Sequence, residues 1–376
     1  MQRYLEPFVR TDLAKKMVFL SGPRQVGKTT LARSILAGHA RAQYLNWDVP
    51  DDRRILIEQT WSPRSSLLVL DEIHKMRDWK GYLKGVFDGR PEGQAILVTG
   101  SARMDTFRQS GESLAGRYFS LRLHPISVRE WCESSGCAPQ EALDRLLDRG
   151  GFPEPFLAEQ ETDAQRWRNQ YLEGVIREDV LEFSRIQEIR AMRVFVEMLR
   201  SRVGSPLSLA SLARDLQVSP TTLAKYLDIL EALYIVFVVR PHHHNVARSI
   251  LKEPKVYFLD TPLVADEGAR FENLCAAALL KHVHFLQDVA GRRVALRYIR
   301  DKEGHEIDFA ICEDDAPRVL VECKLSDRAV APFFGKTAER FPDVDAVQVV
   351  RDLRQPEQRG KIAIEPAAAW LAALAA

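Results

Sequence analysis

The first third of the chain alternates short apolar runs with stretches whose apolar residues recur at helical spacing. Each apolar run is four to six residues long, which fits a strand buried in a parallel sheet. Alternating strands and helices are typical of a doubly wound sheet, so the pattern predicts an α/β fold with a parallel sheet over residues 1–130. The runs occupy 17–20, 42–46, 67–70, 95–98 and 118–123.

Beyond residue 130 the pattern changes twice. Residues 131–204 carry a helical period with a break at 150–153, and we expect a helical lid there. Residues 205–262 contain two short helical segments and then apolar strands, which is the pattern of a winged helix-turn-helix. Residues 263–376 combine a helical segment with strands and predict a small α/β domain.

A glycine-rich segment directly follows the first apolar run. It fits G-x-x-x-x-G-K-[ST] at every fixed position, with a strand before it and a helix after it, as this motif requires. The backbone N–H groups of such a loop surround phosphates, and the helix N-terminus adds positive potential. We expect Lys28 to reach the β- and γ-phosphates of ATP and Thr29 to ligate Mg²⁺. The expected nucleotide-binding residues are Gly22, Pro23, Arg24, Gln25, Val26, Gly27, Lys28, Thr29 and Thr30.

An acidic pair, Asp71 and Glu72, ends the third apolar run. The C-terminal end of a parallel strand is where α/β proteins bind ligands. We expect Asp71 to complete the ligands of Mg²⁺ and Glu72 to orient or deprotonate the attacking water. Together with the phosphate loop, this pair predicts ATP hydrolysis as well as ATP binding.

Two more polar positions are candidates for the same chemistry. The fourth apolar run leads into Ser101, our first choice for a residue that senses the γ-phosphate; Thr99 and Arg103 are the alternatives. A capped turn after the strand explains the same residues without any catalytic role. Arg117 is the candidate for an arginine that completes the site of a neighbouring subunit. An ordinary ion pair explains Arg117 equally well.

The last third of the chain contains a second set of acidic residues. Asp308 lies in one expected strand, and Glu322 and Lys324 lie on the same face of the next strand. An acid followed across a turn by E-x-K is the PD-(D/E)xK nuclease pattern, and Glu272 in an upstream helical segment adds a fourth group. We expect Asp308 and Glu322 to bind Mg²⁺, Lys324 to polarise water and Glu272 to support the metal ligands. E-x-K alone is also common on amphipathic strands.

The second helix of the winged segment offers few groups for contact with DNA: Thr221, Thr222, Lys225 and Tyr226. Residues 205–260 hold six Lys or Arg against five acids, so the local charge does not favour nucleic acid. A DNA-binding module and a module that packs against a protein are both compatible with this segment.

Composition narrows the class of protein. The chain has 376 residues, of which 46% are hydrophobic and 28% charged, with a net charge of +1, as is ordinary for a globular protein of two or three domains. No apolar stretch is long enough to span a membrane and the first residues lack a secretory signal, so we expect no membrane partner and a cytoplasmic location. The five cysteines lack C-x-x-C spacing and are expected to be reduced thiols.

Taken in order, these motifs resemble a bacterial and archaeal family of AAA-type ATPases, the additional-strand class of P-loop ATPases, whose C-terminal region has long been without an assigned function. The resemblance covers nearly the whole chain. It implies ATP hydrolysis, a helical lid, a winged helix and a restriction-endonuclease-like domain. It also implies a homo-oligomer, with a hexameric ring as one form, that acts on DNA, with branched DNA as one substrate. The segments that carry the resemblance are 22–31, 70–75, 100–103, 113–117, 150–154, 306–308 and 322–324.

Three functions follow from these expectations. The leading one is an ATP-driven motor that acts on DNA as a DNA-dependent ATPase or translocase. The alternatives are an ATP-controlled, Mg²⁺-dependent DNA nuclease and a nucleotide-switched ATPase that binds a protein partner without acting on DNA. All three require ATP and Mg²⁺ at the phosphate loop.

Overall fold

In the computed structural model the chain folds into two compact units, Met1–His124 and Pro125–Ala376. We call them the N-terminal unit and the C-terminal unit. The structure describes residues 1–100, 114–179, 189–242, 253–341 and 343–376. Each unit has its own sheet and its own hydrophobic core.

The N-terminal unit is built on a parallel sheet of five strands in the order β2-β3-β4-β1-β5. All five strands begin where the apolar runs begin, and β1 and β3 are buried along their whole length, as continuous apolar runs predict. The predicted α/β fold is confirmed, with β4 inserted between β1 and β3. The strands are β1 Met17–Ser21, β2 Ala42–Asn46, β3 Leu67–Asp71, β4 Ala95–Thr99 and β5 Tyr118–Arg122.

Helices cover the sheet of the N-terminal unit. The ring of Phe19 on β1 stacks on Tyr118 of β5 with centroids 4.4 Å apart and lies 6.0 Å from the ring of Trp79. These contacts join two neighbouring strands to a helix in one core. In the described residues of this unit the helices are α1 Glu6–Leu13, α2 Lys28–Ala37, α3 Pro50–Glu58 and α4 Trp79–Asp88, with a 3₁₀ turn at Ile73–Lys75.

The C-terminal unit begins with helices. α5 to α9 are Val128–Ser135, Pro139–Arg149, Pro153–Leu157, Glu161–Gly174 and Ile189–Arg200, with a π-helical turn at Val175–Asp179. α10 to α14 are Leu209–Asp215, Pro220–Ala232, Glu267–Asp288, Pro332–Arg340 and Ala367–Ala372, with a 3₁₀ turn at Thr261–Leu263. Throughout the described parts of both units, no helix is both long enough and apolar enough to cross a membrane. All five cysteines are free.

The sheet of the C-terminal unit has eight strands in the order β12-β13-β11-β10-β9-β8-β6-β7. β8, β9 and β10 form an antiparallel meander, and β11 then adds to β10 in parallel. The strands are β6 Val236–Pro241, β7 Lys255–Phe258, β8 Val294–Arg300, β9 Glu306–Glu313, β10 Ala316–Lys324, β11 Asp345–Val350, β12 Glu357–Arg359 and β13 Ile362–Pro366.

The expected boundary between residues 262 and 263 does not divide this sheet. β6 of the expected winged helix pairs in parallel with β8, where Arg240 and Pro241 lie opposite Arg297 and Tyr298. An isolated two-stranded ribbon would expose an unpaired edge, and β8 covers that edge. The three domains expected after residue 130 therefore form one compact unit, whose core runs from Ile126 to Leu374.

α10 and α11 follow one another across a short turn, as the sequence predicts. The Ser219 hydroxyl accepts a hydrogen bond from the Thr222 N–H at 3.0 Å and caps α11. Lys225 is exposed, whereas Tyr226 is buried with its ring centroid 6.4 Å from that of Phe195. Of the four groups that the sequence offers for contact with DNA, Tyr226 is thus not at the surface, because its side chain belongs to the core.

The glycine at the break between α6 and α7 packs against a buried ion pair. Gly150 has φ +76°, and a Cβ at this position would lie 2.2 Å from Oδ1 of Asp260. The other oxygen of that carboxylate accepts a hydrogen bond from Nε of Arg168 at 2.7 Å. Only glycine fits here, so in this structure the glycine supports packing within the C-terminal unit.

Candidate functional site

The phosphate loop lies between β1 and α2. Gly22 has φ +144°, and a Cβ would lie 2.4 Å from the carbonyl oxygen of Leu123, so no side chain fits there. α2 begins at Lys28, so the N-terminal end of this helix, with its partial positive charge, lies at the loop. This backbone arrangement is the one that phosphate binding requires.

Lys28 lies at the centre of the loop. Its ammonium donates hydrogen bonds to the carbonyl oxygens of Gly22 at 2.9 Å and Pro23 at 2.6 Å, and the side chain is buried. These bonds hold the ammonium against the backbone of the loop that is expected to bind phosphate.

Arg3, near the start of the chain, holds the phosphate loop in place through hydrogen bonds. Its guanidinium donates from Nη1 to the carbonyl oxygen of Val26 and from Nη2 to that of His124, both at 2.6 Å. The side chain is buried, and charge-assisted hydrogen bonds of this kind are stronger than neutral ones. No local pattern in the sequence predicts this role of Arg3, because its partners lie 23 and 121 positions away.

Asp71, at the end of β3, accepts hydrogen bonds from three hydroxyl groups. Oδ2 accepts from Thr29 at 3.3 Å and from the phenol of Tyr44, and Oδ1 accepts from Thr99. The carboxylate is buried. The structure thus brings together Thr29 and Asp71, the two residues expected at Mg²⁺. Thr99, an alternative candidate for the phosphate sensor, donates its hydroxyl to Asp71 in this structure.

The donor set at Asp71 fits a magnesium ion. Thr29 and Asp71 offer a hydroxyl and a carboxylate, and Mg²⁺ is commonly held by one or two such protein oxygens together with water and the phosphates of a substrate. Burial, together with the neighbouring Asp71, raises the pKa of Tyr44 well above its ordinary value. The phenol therefore stays protonated and keeps donating to Asp71. Tyr44 was missed by sequence analysis, since β2 carries no motif.

Glu72 adopts a left-handed backbone conformation, φ +57° and ψ 20°, which costs free energy in a non-glycine residue. Its Oε2 lies 3.4 Å from Nζ of Lys75 and 3.7 Å from Nε2 of His74. Burial raises the pKa of the Glu72 carboxyl, and Lys75, which is also paired with Asp48, opposes that rise. A carboxylate with a raised pKa beside the phosphate loop is suited to accept a proton from water.

The other predicted residues of the N-terminal unit lie away from this cluster or outside the described part. Ser101 and Arg103 fall outside the described residues. Arg117 directly precedes β5, whose first residue pairs with the first residue of β1, so it lies at the opposite edge of the sheet, about 16 Å from the loop. Its guanidinium forms two 2.9 Å hydrogen bonds with Asp88. Arg117 therefore does not reach the loop of its own chain.

The acidic residues expected in the C-terminal unit come together. The Asp308 N–H on β9 donates to Oε2 of Glu322 on β10 at 3.4 Å, and Lys324 donates to Oε1 of Glu322 at 2.9 Å. Glu272 reaches the same place from α12 and accepts a hydrogen bond from Tyr257 at 2.7 Å.

A lysine that sequence analysis missed lies among these acids. The Nζ of Lys255, on β7, is 3.1 Å from Glu306, 3.8 Å from Glu272 and 3.9 Å from Asp308, and the side chain is 2% exposed. Burial, with a further contribution from Asp308, raises the pKa of Glu272 to about 8. In the sequence, Lys255 stands out only as a charged residue at the start of a strand whose other residues are apolar or aromatic.

Comparison with protein families assigns the N-terminal unit. Residues 14–132 match the family model of an AAA domain. Residues 140–267 and 267–366 match two domains of unknown function, DUF8612 and DUF4143. Residues 14–132 thus match an AAA domain in sequence, and the parallel sheet, the phosphate loop and the contact between Thr29 and Asp71 agree with a P-loop ATPase of that kind.

Similar curated proteins are uncharacterized. One from Mycobacterium tuberculosis and one from Mycobacterium bovis are each 32% identical over 250 residues, which are 66% of this chain and 55% of each relative. The chain thus spans about half the length of these relatives. A protein of Methanocaldococcus jannaschii is 21% identical over 348 residues, covering 84% of this chain and 76% of that protein.

Two solved structures show a weak likeness. A Walker-type ATPase of Pyrococcus abyssi has a TM-score of 0.43 at 14% identity and covers 69% of this chain and 93% of its own. A RuvB variant of Thermotoga maritima has a TM-score of 0.33 at 17% identity, with 62% and 88% covered. At these TM-scores neither structure indicates a substrate for this chain.

We expect Arg3→Met to weaken ATP binding. The change removes two charge-assisted hydrogen bonds, worth about 1.5–3 kcal/mol each, that hold the loop and the segment after β5. The loop then spends time in conformations that do not bind, and the dissociation constant of ATP should rise about tenfold in a titration with a fluorescent ATP analogue. Arg41→Met, at an exposed position, is the matched control. Equal affinity in Arg3→Met and wild type would contradict the bracing role.

Proposed function

We propose that the protein binds MgATP at the phosphate loop, hydrolyses it and uses hydrolysis to act on DNA as a motor. The observation that carries the ATPase part is the 3.3 Å contact between Oγ1 of Thr29 and Oδ2 of Asp71. It joins two motifs that are 42 positions apart. Both lie at the C-terminal edge of the sheet, where α/β folds bind ligands.

Each residue of the site has a separate role in this proposal. Lys28 exchanges its loop carbonyls for the β- and γ-phosphate oxygens and neutralises charge that develops on them. Thr29 and Asp71 hold Mg²⁺. Glu72 accepts the proton of the water that attacks the γ-phosphorus, and Ser101 is the candidate sensor of the γ-phosphate.

Glu72→Gln should bind ATP with nearly unchanged affinity and lose about 100-fold or more in kcat, because the amide keeps the size of the side chain but cannot accept the proton. Steady-state phosphate release and analogue binding separate the two effects. Glu92→Gln, exposed in the segment before β4, is the control and should behave as wild type. A Glu72→Gln protein with near-normal turnover would show that another group activates the water.

The DNA part of the proposal rests on α10 and α11. In DNA-binding helix-turn-helix proteins the second helix enters the major groove. Here α11 is capped by Ser219 and exposes Thr221 and Lys225. The E-x-K strand pair of β9 and β10 gives further support, since this pattern is shared with enzymes that bind DNA.

The proposal includes a homo-oligomer, with a hexameric ring as one closed form. Its support is the position of Arg117 at the edge of the sheet opposite the loop. In this proposal Arg117 leaves its ion pair with Asp88 and acts on the site of a neighbouring copy, because it does not reach the loop of its own chain. An arginine supplied by a neighbour stabilises the charge of the phosphoryl-transfer transition state.

Single-stranded, duplex or four-way-junction DNA should stimulate ATP hydrolysis. Lys225→Glu should reduce this stimulation and weaken DNA binding, and the slope of log Kd against log salt should fall by about 1, because a phosphate contact is lost. Fluorescence anisotropy at several salt concentrations measures the slope. Lys361→Glu, exposed between β12 and β13, makes the same charge change as a control.

Hydrolysis that is equal with and without every DNA form would contradict the DNA part and leave the ATPase part intact. That result would favour an ATPase whose nucleotide state switches its affinity for a protein partner. The near-balanced charge of residues 205–260, six basic against five acidic side chains, is the observation that supports this second candidate.

A further inference from the structure

The acidic cluster of the C-terminal unit has the residue types of a divalent-metal site. The cluster consists of Glu272, Glu306, Asp308 and Glu322. Its oxygens, however, already face donors within the protein. Oδ2 of Asp308 accepts from the N–H of Cys323 at 2.8 Å. Oε1 of Glu322 accepts from Lys324 at 2.9 Å, and Oε2 accepts from the N–H of Asp308 at 3.4 Å.

The remaining oxygen of Asp308 faces Lys255. The Lys255 ammonium lies 3.9 Å from Oδ1 of Asp308, 3.8 Å from Oε1 of Glu272 and 3.1 Å from Oε2 of Glu306. It is thus within ion-pair distance of three of the four carboxylates. A metal ion shared by these carboxylates would have to lie where the ammonium is.

Several contacts hold Lys255 in this place. Its backbone is paired with Val239 on β6 and bridges to Pro206 on the other side. Its ammonium lies 5.3 Å from the centre of the Tyr298 ring, and the side chain is 2% exposed. A buried ammonium is strongly unfavourable without anionic partners, so the lysine and the carboxylates stabilise one another.

Glu272 and Glu306, the other two carboxylates of the cluster, also face donors of the protein. Oε1 of Glu272 accepts a hydrogen bond from the phenol of Tyr257 at 2.7 Å. Oε1 of Glu306 lies 3.3 Å from Nη1 of Arg300. Arg300 is therefore one more cation of the protein that faces the cluster.

We propose that the Lys255 ammonium is the permanent cation of the acidic cluster, so that the cluster takes no divalent metal ion and the C-terminal unit does not cleave DNA. Mg²⁺ demands near-octahedral oxygen ligands at about 2.0–2.1 Å, and an ion bound to Asp308 would share that carboxylate with a buried ammonium. The donors present fit an ammonium and do not fit Mg²⁺. This inference is independent of ATP hydrolysis and argues against the nuclease alternative.

The test is Mn²⁺ binding by the nucleotide-free chain, followed through the EPR signal of free Mn²⁺. Wild type and Asp308→Asn should bind the same number of ions. Lys255→Met removes the positive charge and keeps most of the volume, so it should gain about one ion per chain that wild type lacks. The double variant Lys255→Met with Asp308→Asn should lose that ion again. Lys336→Met, at an exposed position, is the matched control and should gain none.

Three results would overturn the proposal. One is a bound Mn²⁺ ion that is present in wild type and absent in Asp308→Asn. Another is plasmid nicking by wild type with Mg²⁺ or Mn²⁺ that is lost in Lys324→Ala. The third is a folded Lys255→Met protein that gains no ion, because the ammonium would then not be what keeps a metal out. The comparison of wild type with Asp308→Asn leaves Lys255 unchanged and decides the question even where Lys255→Met does not fold.

Discussion

The buried carboxylate of Asp71 joins several elements of the ATPase domain through hydrogen bonds. Hydroxyl groups from β2, β4 and α2, those of Tyr44, Thr99 and Thr29, all donate to its two oxygens. A buried carboxylate is tolerated only when its oxygens are hydrogen-bonded. This one group therefore links the middle of β2 and the end of β4 to the end of β3, and the start of α2 to the sheet. The pairing of Thr29 with Asp71, on which the proposed Mg²⁺ site depends, follows from that arrangement.

Asp71 and Asp308 show how the partners of a carboxylate decide what it can bind. The hydroxyl groups that donate to Asp71 are neutral, so its negative charge remains for an incoming cation. Asp308 faces a backbone N–H and the Lys255 ammonium, so its charge is already compensated within the protein. These two acidic motifs therefore differ in what they can bind, because Asp71 accepts from neutral hydroxyl groups whereas Asp308 lies at ion-pair distance from a buried ammonium.

The sequence predicts those parts of the structure that depend on neighbours along the chain. In the N-terminal unit, β1, β3 and β4 follow from the sequence because buried parallel strands are continuous apolar runs, whereas β2 and β5, at the two edges of the sheet, are mostly half-buried and contain polar residues. The phosphate loop comes after β1, and Asp71 and Glu72 lie at the end of β3. Arg3, Tyr44 and Lys255 were not predicted, because each acts on residues far away in sequence. The single sheet of the C-terminal unit was missed for the same reason, since the pairing of β6 with β8 leaves no trace in either strand.

The proposed site at Thr29 and Asp71, shared by nucleotide and metal, is central to the function proposed for this protein. Counting protein-bound Mn²⁺ by equilibrium dialysis, with and without a non-hydrolysable ATP analogue, tests it most directly. We predict about one nucleotide-dependent ion per chain, lost in Thr29→Ala and kept in Thr60→Ala, whose side chain is exposed. A nucleotide-dependent ion that persists in Thr29→Ala, or the absence of such an ion in wild type, would contradict this site.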